Sequence, residues 1–286
     1  MPVGSVGRPV LSRRREVGGG SARSLLVTIL GEFVLPAARP VWTGTLVDVL
    51  AMLDVEEKSA RQALARTAAE GWLSSDRIGR RVRWHLTAPG RRLLVEGAER
   101  IYSFGSDGDD WDGHWVVLLV SVPESMRDLR HTLRTRLTWA GFGTPTAGVW
   151  ISPRTGAGAE ADANQIIADL ALPGTAMSFV ATYGALGRQE DMVASAWDLA
   201  DVGRQYENFI DEFENENPDS PDAVLCIQTR LVQAWRRFPF LDPQLPRELL
   251  PPAWSGTRAA MLFNDRHLRW RDTARRRWTE LAGDPA

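Results

Sequence analysis

Three runs of apolar residues at helical spacing open the chain, and a run of strict alternation follows them. Leu25, Leu26, Ile29, Leu30 and Phe33 share one face and predict a helix over Ala22–Leu35, stopped by Pro36, with Glu32 off that face. Leu46, Val47, Leu50 and Leu53 predict a second helix, capped by Thr43 or Thr45. After a break at Asp54-Val55, Ala60, Ala63, Leu64 and Thr67 form the inner face of a third, over Glu56–Glu70, which Gly71 terminates. Its outer face shows Lys58, Ser59, Arg61, Gln62 and Arg66. Then "WLSSDRI" and "RRVRWHLT" read as two strands around Gly79, with Val82, Trp84 and Leu86 alternating with Arg81, Arg83 and His85. A helix over Pro89–Ile101 closes the unit. Three helices and a hairpin are the order of a winged helix-turn-helix, placed at 21–102.

The pattern changes twice more. Residues 103–113, "SFGSDGDDWDG", read as an acidic linker. "WVVLLVSV" is apolar on both faces and predicts a buried strand. A helix from Pro123-Glu124 to Leu137, a strand in Gly141–Ser152, a helix over Ala161–Leu170 and a strand over Ala176–Thr182 follow it. That alternation predicts a ferredoxin-like domain over 114–187. From 188 to 286 the pattern is helical. One long amphipathic helix is expected in "DMVASAWDLADVGRQYENFIDEF", one from Ser220-Pro221-Asp222 to about Arg237, and one over Gly256–Leu281. "FPFLDPQLPRELLPPAW" between the last two is too rich in proline to be regular. The Gly- and Arg-rich residues 1–20 read as a flexible arm. The expected fold class is therefore α+β and multidomain: an N-terminal winged helix-turn-helix, a central ferredoxin-like domain and a C-terminal, mostly helical domain.

Composition narrows the function. The 286 residues, 44% hydrophobic and 24% charged, describe a soluble globular protein. The single cysteine, Cys226, excludes an internal disulfide framework and reads as a buried small hydrophobe. Nothing reaches the length of apolar run that spans a bilayer. "RSLLVTILGEFVLPAARP" has the outline of a signal peptide, but Glu32 interrupts its apolar core, so a cytoplasmic protein with no membrane partner is expected. The net charge of -2 conceals an asymmetry. Residues 1–100 carry 16 Arg and Lys against 10 Asp and Glu, and the remainder 18 against 26. A basic first third points to a polyanion.

Four arginines, Arg77, Arg80, Arg81 and Arg83, crowd the hairpin, where they can grip phosphate. The third helix is short and polar outside, suited to a major groove. There Arg61 can read guanine and Gln62 adenine, with Lys58, Ser59 and Arg66 beside them. The competing reading is a winged helix that docks an acidic protein without sequence-specific DNA binding. Arg127, Arg130 and Arg134 line a helix face that reads as solvated. No enzyme is expected. His85, His114, His131 and His267 have no second ligand at metal spacing, and "GFGTPTAG" lacks the lysine of a phosphate loop. Asp107, Asp109, Asp110 and Asp112 miss the downstream glutamate of a calcium loop. Neither a metal nor another cofactor is called for.

Three blocks carry a family resemblance: "RQALARTAAEGWLSSDRIGRRVRWHLTAPG"; "WDGHWVVLLVSVPE" with "LRTRLTWAGFGTPTAGVWISP"; and "FPFLDPQLPRELLPPAWSG". In this order, over about Ser21 to Trp270, the chain resembles the PaaX-type transcriptional regulators, the phenylacetic acid degradation operon repressors. The resemblance implies a homodimeric repressor on a palindromic operator in double-stranded DNA, relieved by an aryl-CoA thioester effector. Arg236, Arg237 and Arg275 to Arg277 are candidates for the phosphates of such an acyl-CoA, and equally for acidic partners. The middle segment also resembles the small CRISPR-associated nucleases of ferredoxin-like fold, which carry an aspartate at the end of their first strand. Here that place reads "LLVSVPE", with Ser121 and no aspartate, so a nucleic-acid-processing enzyme is the weakest reading.

Overall fold

A computed structural model describes residues 21–105, 111–153, 157–172 and 176–283. The expected arm at 1–20, and Asp107, Asp109 and Asp110 of the acidic linker, lie outside the described residues. The chain forms a mixed helix-and-sheet protein of two compact units. No helix among the described residues is long and apolar enough to cross a membrane.

Among the described residues the first unit combines 21–104 with Phe209–Arg237 and 260–283. Ser21 caps α1 (Ala22–Ile29), accepting from the Ser24 amide at 3.2 Å. The helix does not stop at Pro36. It widens into a π-helical turn over Leu30–Val34 and tightens again in α2 (Leu35–Ala37), ending at Ala38 with φ of 49°. Pro36 has no N–H to continue the ladder, and the turn before it bonds instead from the Leu35 amide to the Leu30 carbonyl. A strand of two residues, β1 (Val41–Trp42), follows, too short to show in the alternation. Then come α3 (Thr43–Ala51), α4 (Glu57–Ala69), the strands β2 (Leu73–Ile78) and β3 (Arg81–Leu86), and α5 (Ala88–Tyr102). The sheet order is β1-β3-β2, all antiparallel. Neither expected threonine caps α3. Thr43 bonds the Val82 carbonyl and the Trp84 indole, and Thr45 bonds the Leu281 carbonyl.

Glu32 corrects the sequence reading most. It is 2% exposed, in the middle of the packing. The apolar stripe of α1 meets α3 and α4, and its other flank meets α10 (Pro221–Trp235). A helical wheel cannot see a partner two hundred residues away. Trp235 and Phe263, the latter on α12 (Gly256–Ala282), stack at 4.6 Å; Phe33 stacks on Trp278 at 5.4 Å. Cys226 on α10 is only half-buried, its Sγ 3.5 Å from the Met52 carbonyl.

The second unit holds β4 (His114–Val120), α6 (Arg127–Trp139), β5 (Gly143–Thr146), β6 (Val149–Ser152), α7 (Ala157–Leu170) and β7 (Ala176–Thr182). The expected single strand in 141–152 is a hairpin, turned at Gly148 with φ of 79°. The antiparallel sheet runs β5-β6-β4-β7. Both faces of β4 are covered, as its unbroken apolar run requires. Val116, Leu118 and Val120 pack with Leu133, Leu137 and Ile166 of α6 and α7, while Trp115 and Ile151 pack with Val193, Leu199 and Leu245.

The expected long helix after Arg188 is two, α8 (Gln189–Ala196) and α9 (Leu199–Phe213). Trp197 is extended between them, and Asp198 accepts from the Asp201 amide at 2.9 Å. The proline-rich stretch contains one short helix, α11 (Phe238–Leu241), and a 3-10 turn over Arg247–Leu249. The described residues from 188 onward are shared between the two units. α10 and most of α12 bury Leu225, Leu231, Trp235, Phe263 and Trp278 in the first unit, whereas Val193, Leu199 and Leu245 cover the sheet of the second.

Candidate nucleic-acid interface

Helix α4 buries mostly short side chains. Ala60, Ala63, Leu64 and Thr67 lie at 3% exposure or less, so the helix seats closely on α1 and α3. It ends in a Schellman motif: the Trp72 amide bonds the Thr67 carbonyl at 3.1 Å, the Gly71 amide bonds the Ala68 carbonyl at 2.9 Å, and Gly71 takes φ of 80°. Trp72 follows, buried, and fixes where the hairpin starts. Thr87 closes the hairpin's base, its amide 3.0 Å from the Trp72 carbonyl and its hydroxyl 2.6 Å from the Gly71 carbonyl. The same hydroxyl caps α5 through the Gly90 amide. A Cβ on Gly90 would stand 2.3 Å from the Trp72 carbonyl, so only glycine fits there. Helix end, hairpin base and α5 are thus one rigid joint.

The joint presents two basic surfaces. Lys58, Arg61, Gln62 and Arg66 are exposed on the outer side of α4, and Ser59 is half-buried beside them. Lys58, Arg61 and Gln62 line a shallow open groove with Glu57 and Ala65. Arg61 is not idle, since its Nε donates to Glu57 Oε1 at 2.8 Å. The i,i+4 spacing of this pair was legible in the sequence. Across the hairpin, Ile78 pairs with Arg81, leaving the two-residue loop Gly79-Arg80, in which Gly79 takes φ of 59°. Arg77, Arg80 and Arg81 are exposed around this tip. Arg83 is set apart. It stands opposite Asp76, with Nη2 3.9 Å from Oδ2, lies over the Trp42 ring at 5.8 Å, and is 34% exposed. His85 also reaches Asp76, at 2.6 Å. Arg83 therefore ties β3 to β1 as well as adding charge. Alternation could not show this, because Trp42 arrives from outside the hairpin.

A polar seam holds this head against α10 and α12. Ser24, Thr28 and Glu32, at four-residue steps on α1 and its π-turn, are each under 5% exposed. Gln233 bonds Ser24 and Thr28 at 2.6 Å each, and Arg236 bonds Thr28 at 3.0 Å. Glu32 accepts from Gln228 at 3.0 Å, lies 3.2 Å from His267 Nε2, and accepts from the Tyr102 hydroxyl. Burial alone would raise the Glu32 carboxyl, but the hydrogen bonds and charge of His267, with Tyr102 and Gln228, outweigh it and hold the group below the ordinary value. Burial and the Glu32 charge push the Tyr102 hydroxyl up, so it remains a donor. Of the arginines considered for acyl-CoA phosphates, Arg236 belongs to this seam and Arg277 is bonded to Asp222 and Glu280; Arg275 and Arg276 line an open groove with Asp272 and Thr279.

A basic helix face and a basic hairpin tip thus stand together on one joint, the charge pattern of a protein class that meets polyanions. Comparison with known proteins supplies the family. Family models match along nearly the whole described chain: "PaaX-like protein" over residues 21–90, "PaaX protein central Cas2-like domain" over 108–193, and "PaaX-like protein C-terminal domain" over 197–280. The chain is 30% identical over 253 residues to the transcriptional repressor PaaX of Escherichia coli (strain K12), covering 85% of this chain and 78% of that protein. It belongs to the PaaX family. A solved structure of the uncharacterized protein Rv0674 from Mycobacterium tuberculosis shares the fold, with a TM-score of 0.59, 21% identity, and coverage of 90% of this chain and 98% of that one.

Proposed function

We propose that the chain is a DNA-binding transcriptional repressor in which α3, α4 and the β2–β3 hairpin act as a winged helix-turn-helix. The observation that carries this reading is the exposed face of α4, with Lys58, Arg61, Gln62 and Arg66 free of the core, on the joint that holds the basic hairpin tip. In the groove Arg61 and Gln62 read bases, Lys58, Ser59 and Arg66 flank them, and Arg77, Arg80 and Arg81 take phosphates. Membership of a family that includes a transcriptional repressor supports the same reading.

The finer assignments follow the same argument. Residues 21–102 are the winged-helix domain and 114–187 a ferredoxin-like domain, which the order β5-β6-β4-β7 and the two helices on one face support. The protein acts as a homodimer on a palindromic operator. The free edge of β7, where Met177, Phe179 and Val180 are about half exposed, is the surface best suited to a second copy. The operon is catabolic, and a small molecule, of the aryl-CoA thioester class, relieves repression.

The test is a fluorescence-anisotropy titration of the full chain on DNA from upstream of its own gene, against a scrambled duplex, at several salt concentrations. Tight binding to the upstream duplex alone is expected. Replacing Arg77, Arg80 and Arg81 with Ala should weaken binding to both duplexes and flatten the salt dependence by about 0.9 per lost phosphate contact. Arg61→Ala should erode the discrimination between them. Equal, weak binding to both duplexes by the wild type would sink the reading as a site-specific regulator.

A further inference from the structure

The second unit carries 16 Asp and Glu against 9 Arg, so as a whole it repels polyanions. One helix face runs against that balance. On α6, Arg127, Arg130, His131 and Arg134 share one side and are exposed, while Leu133 and Leu137 on the adjoining side are buried against the sheet. Other arginines of the unit are neutralised locally: Arg136 by Asp169, Arg188 by Glu190, Arg204 by Asp201. Among the described residues Arg127, Arg130 and Arg134 have no such partner, although Glu124 and Asp128 lie on the same stretch of chain. Arg130 donates to the Pro123 carbonyl at 3.3 Å, which leaves its charge uncompensated.

Among the described residues these three guanidinium groups share one helix stripe without an acidic partner; like charges at these spacings repel weakly, and an anion lying along the stripe would turn that repulsion into attraction. From Arg127 to Arg134 the helix advances about 10.5 Å. The duplex backbone is a continuous row of phosphates, so a stripe of this length can meet more than one of them. Arginine's forked donors suit phosphate oxygens.

We propose that this face of α6 is a second DNA contact, which grips backbone phosphates and reads no bases. It rests on the DNA-binding reading above and extends it to the second unit. The wild-type chain and the variant R127A/R130A/R134A are titrated by anisotropy on two duplexes that share the upstream site. One is trimmed to the footprint of the head. The other is extended by about 10 base pairs, one helical turn, at each end.

The wild type should bind the long duplex more tightly and with a steeper salt slope. The alanine variant should lose that difference, by about 0.9 in slope per lost contact, and bind the short duplex unchanged. R127K/R130K/R134K should keep the difference. An alanine variant that retains it, or a wild-type slope that is the same on both duplexes, overturns the proposal and leaves the head's binding intact. A change in sedimenting mass with unaltered DNA binding assigns the face to a contact between copies, which also overturns it. Wild-type binding no better to the upstream site than to scrambled DNA removes the DNA reading itself, and the proposal with it.

Discussion

Glu57 and Glu32 each face a basic residue in the same unit, and the two pairs have opposite consequences. Glu57 meets Arg61 on the outside of α4, where the side chains are 65% and 57% exposed. Glu32 meets His267 inside the seam, where they are 1% and 12% exposed. Water competes for the first pair, so it contributes little and can be exchanged for a partner's groups. Nothing competes for the second, so removing one side leaves a buried charge short of a partner. The exposed surface is where recognition can occur, and the buried seam decides how the surface is held.

The sharpest way to break the comparison is His267→Leu. It should cost about 3 kcal/mol in urea unfolding, as expected when a buried carboxylate loses one of its hydrogen-bond partners. A cost below about 1 kcal/mol would place the seam with ordinary surface pairs.

Acid should find the same carboxylate. The folded value of Glu32 lies below its ordinary one, so the stability it gives is complete above the unfolded value of about 4.3 and is lost as the pH falls through the lower folded value. Thermal melts between neutral and strongly acid pH should show this loss, and Glu32→Gln should flatten that limb of the curve.

Gly90→Ala tests the joint rather than the seam. A Cβ placed 2.3 Å from the Trp72 carbonyl must displace backbone, at about 2 kcal/mol, and should loosen the hairpin against α4. Amide exchange at the β2–β3 ladder reports it. Glu57→Gln should do least to the fold, with a melt close to wild type. It frees Arg61 and removes an anion from the groove, so DNA affinity should rise by roughly two- to threefold, the worth of an exposed pair of about 0.5 kcal/mol.

What was legible and what was not divide along the same line. The inner face of α4, the stop at Gly71, the turn at Gly79 and the exposed basic positions all follow from local spacing. The strand at 114–120 could be read as buried on both faces because its apolar run has no gaps. Arg83 was less legible, since its neighbours Asp76 and Trp42 come from two other strands. The break at Trp197 was hidden because α8 and α9 keep compatible apolar phases on either side of it.

The sequence by itself determined most of the elements, their order, the basic head and the family, because each depends on periodicity, turn chemistry or matched residues along the chain. Tertiary structure alone decided that α10 and most of α12 pack with the head, and that Glu32 is buried. The physical reason is that a helix's own pattern shows which face is apolar, but not what covers its other faces. Here that cover is Gln228 and His267, and it comes from the far end of the chain.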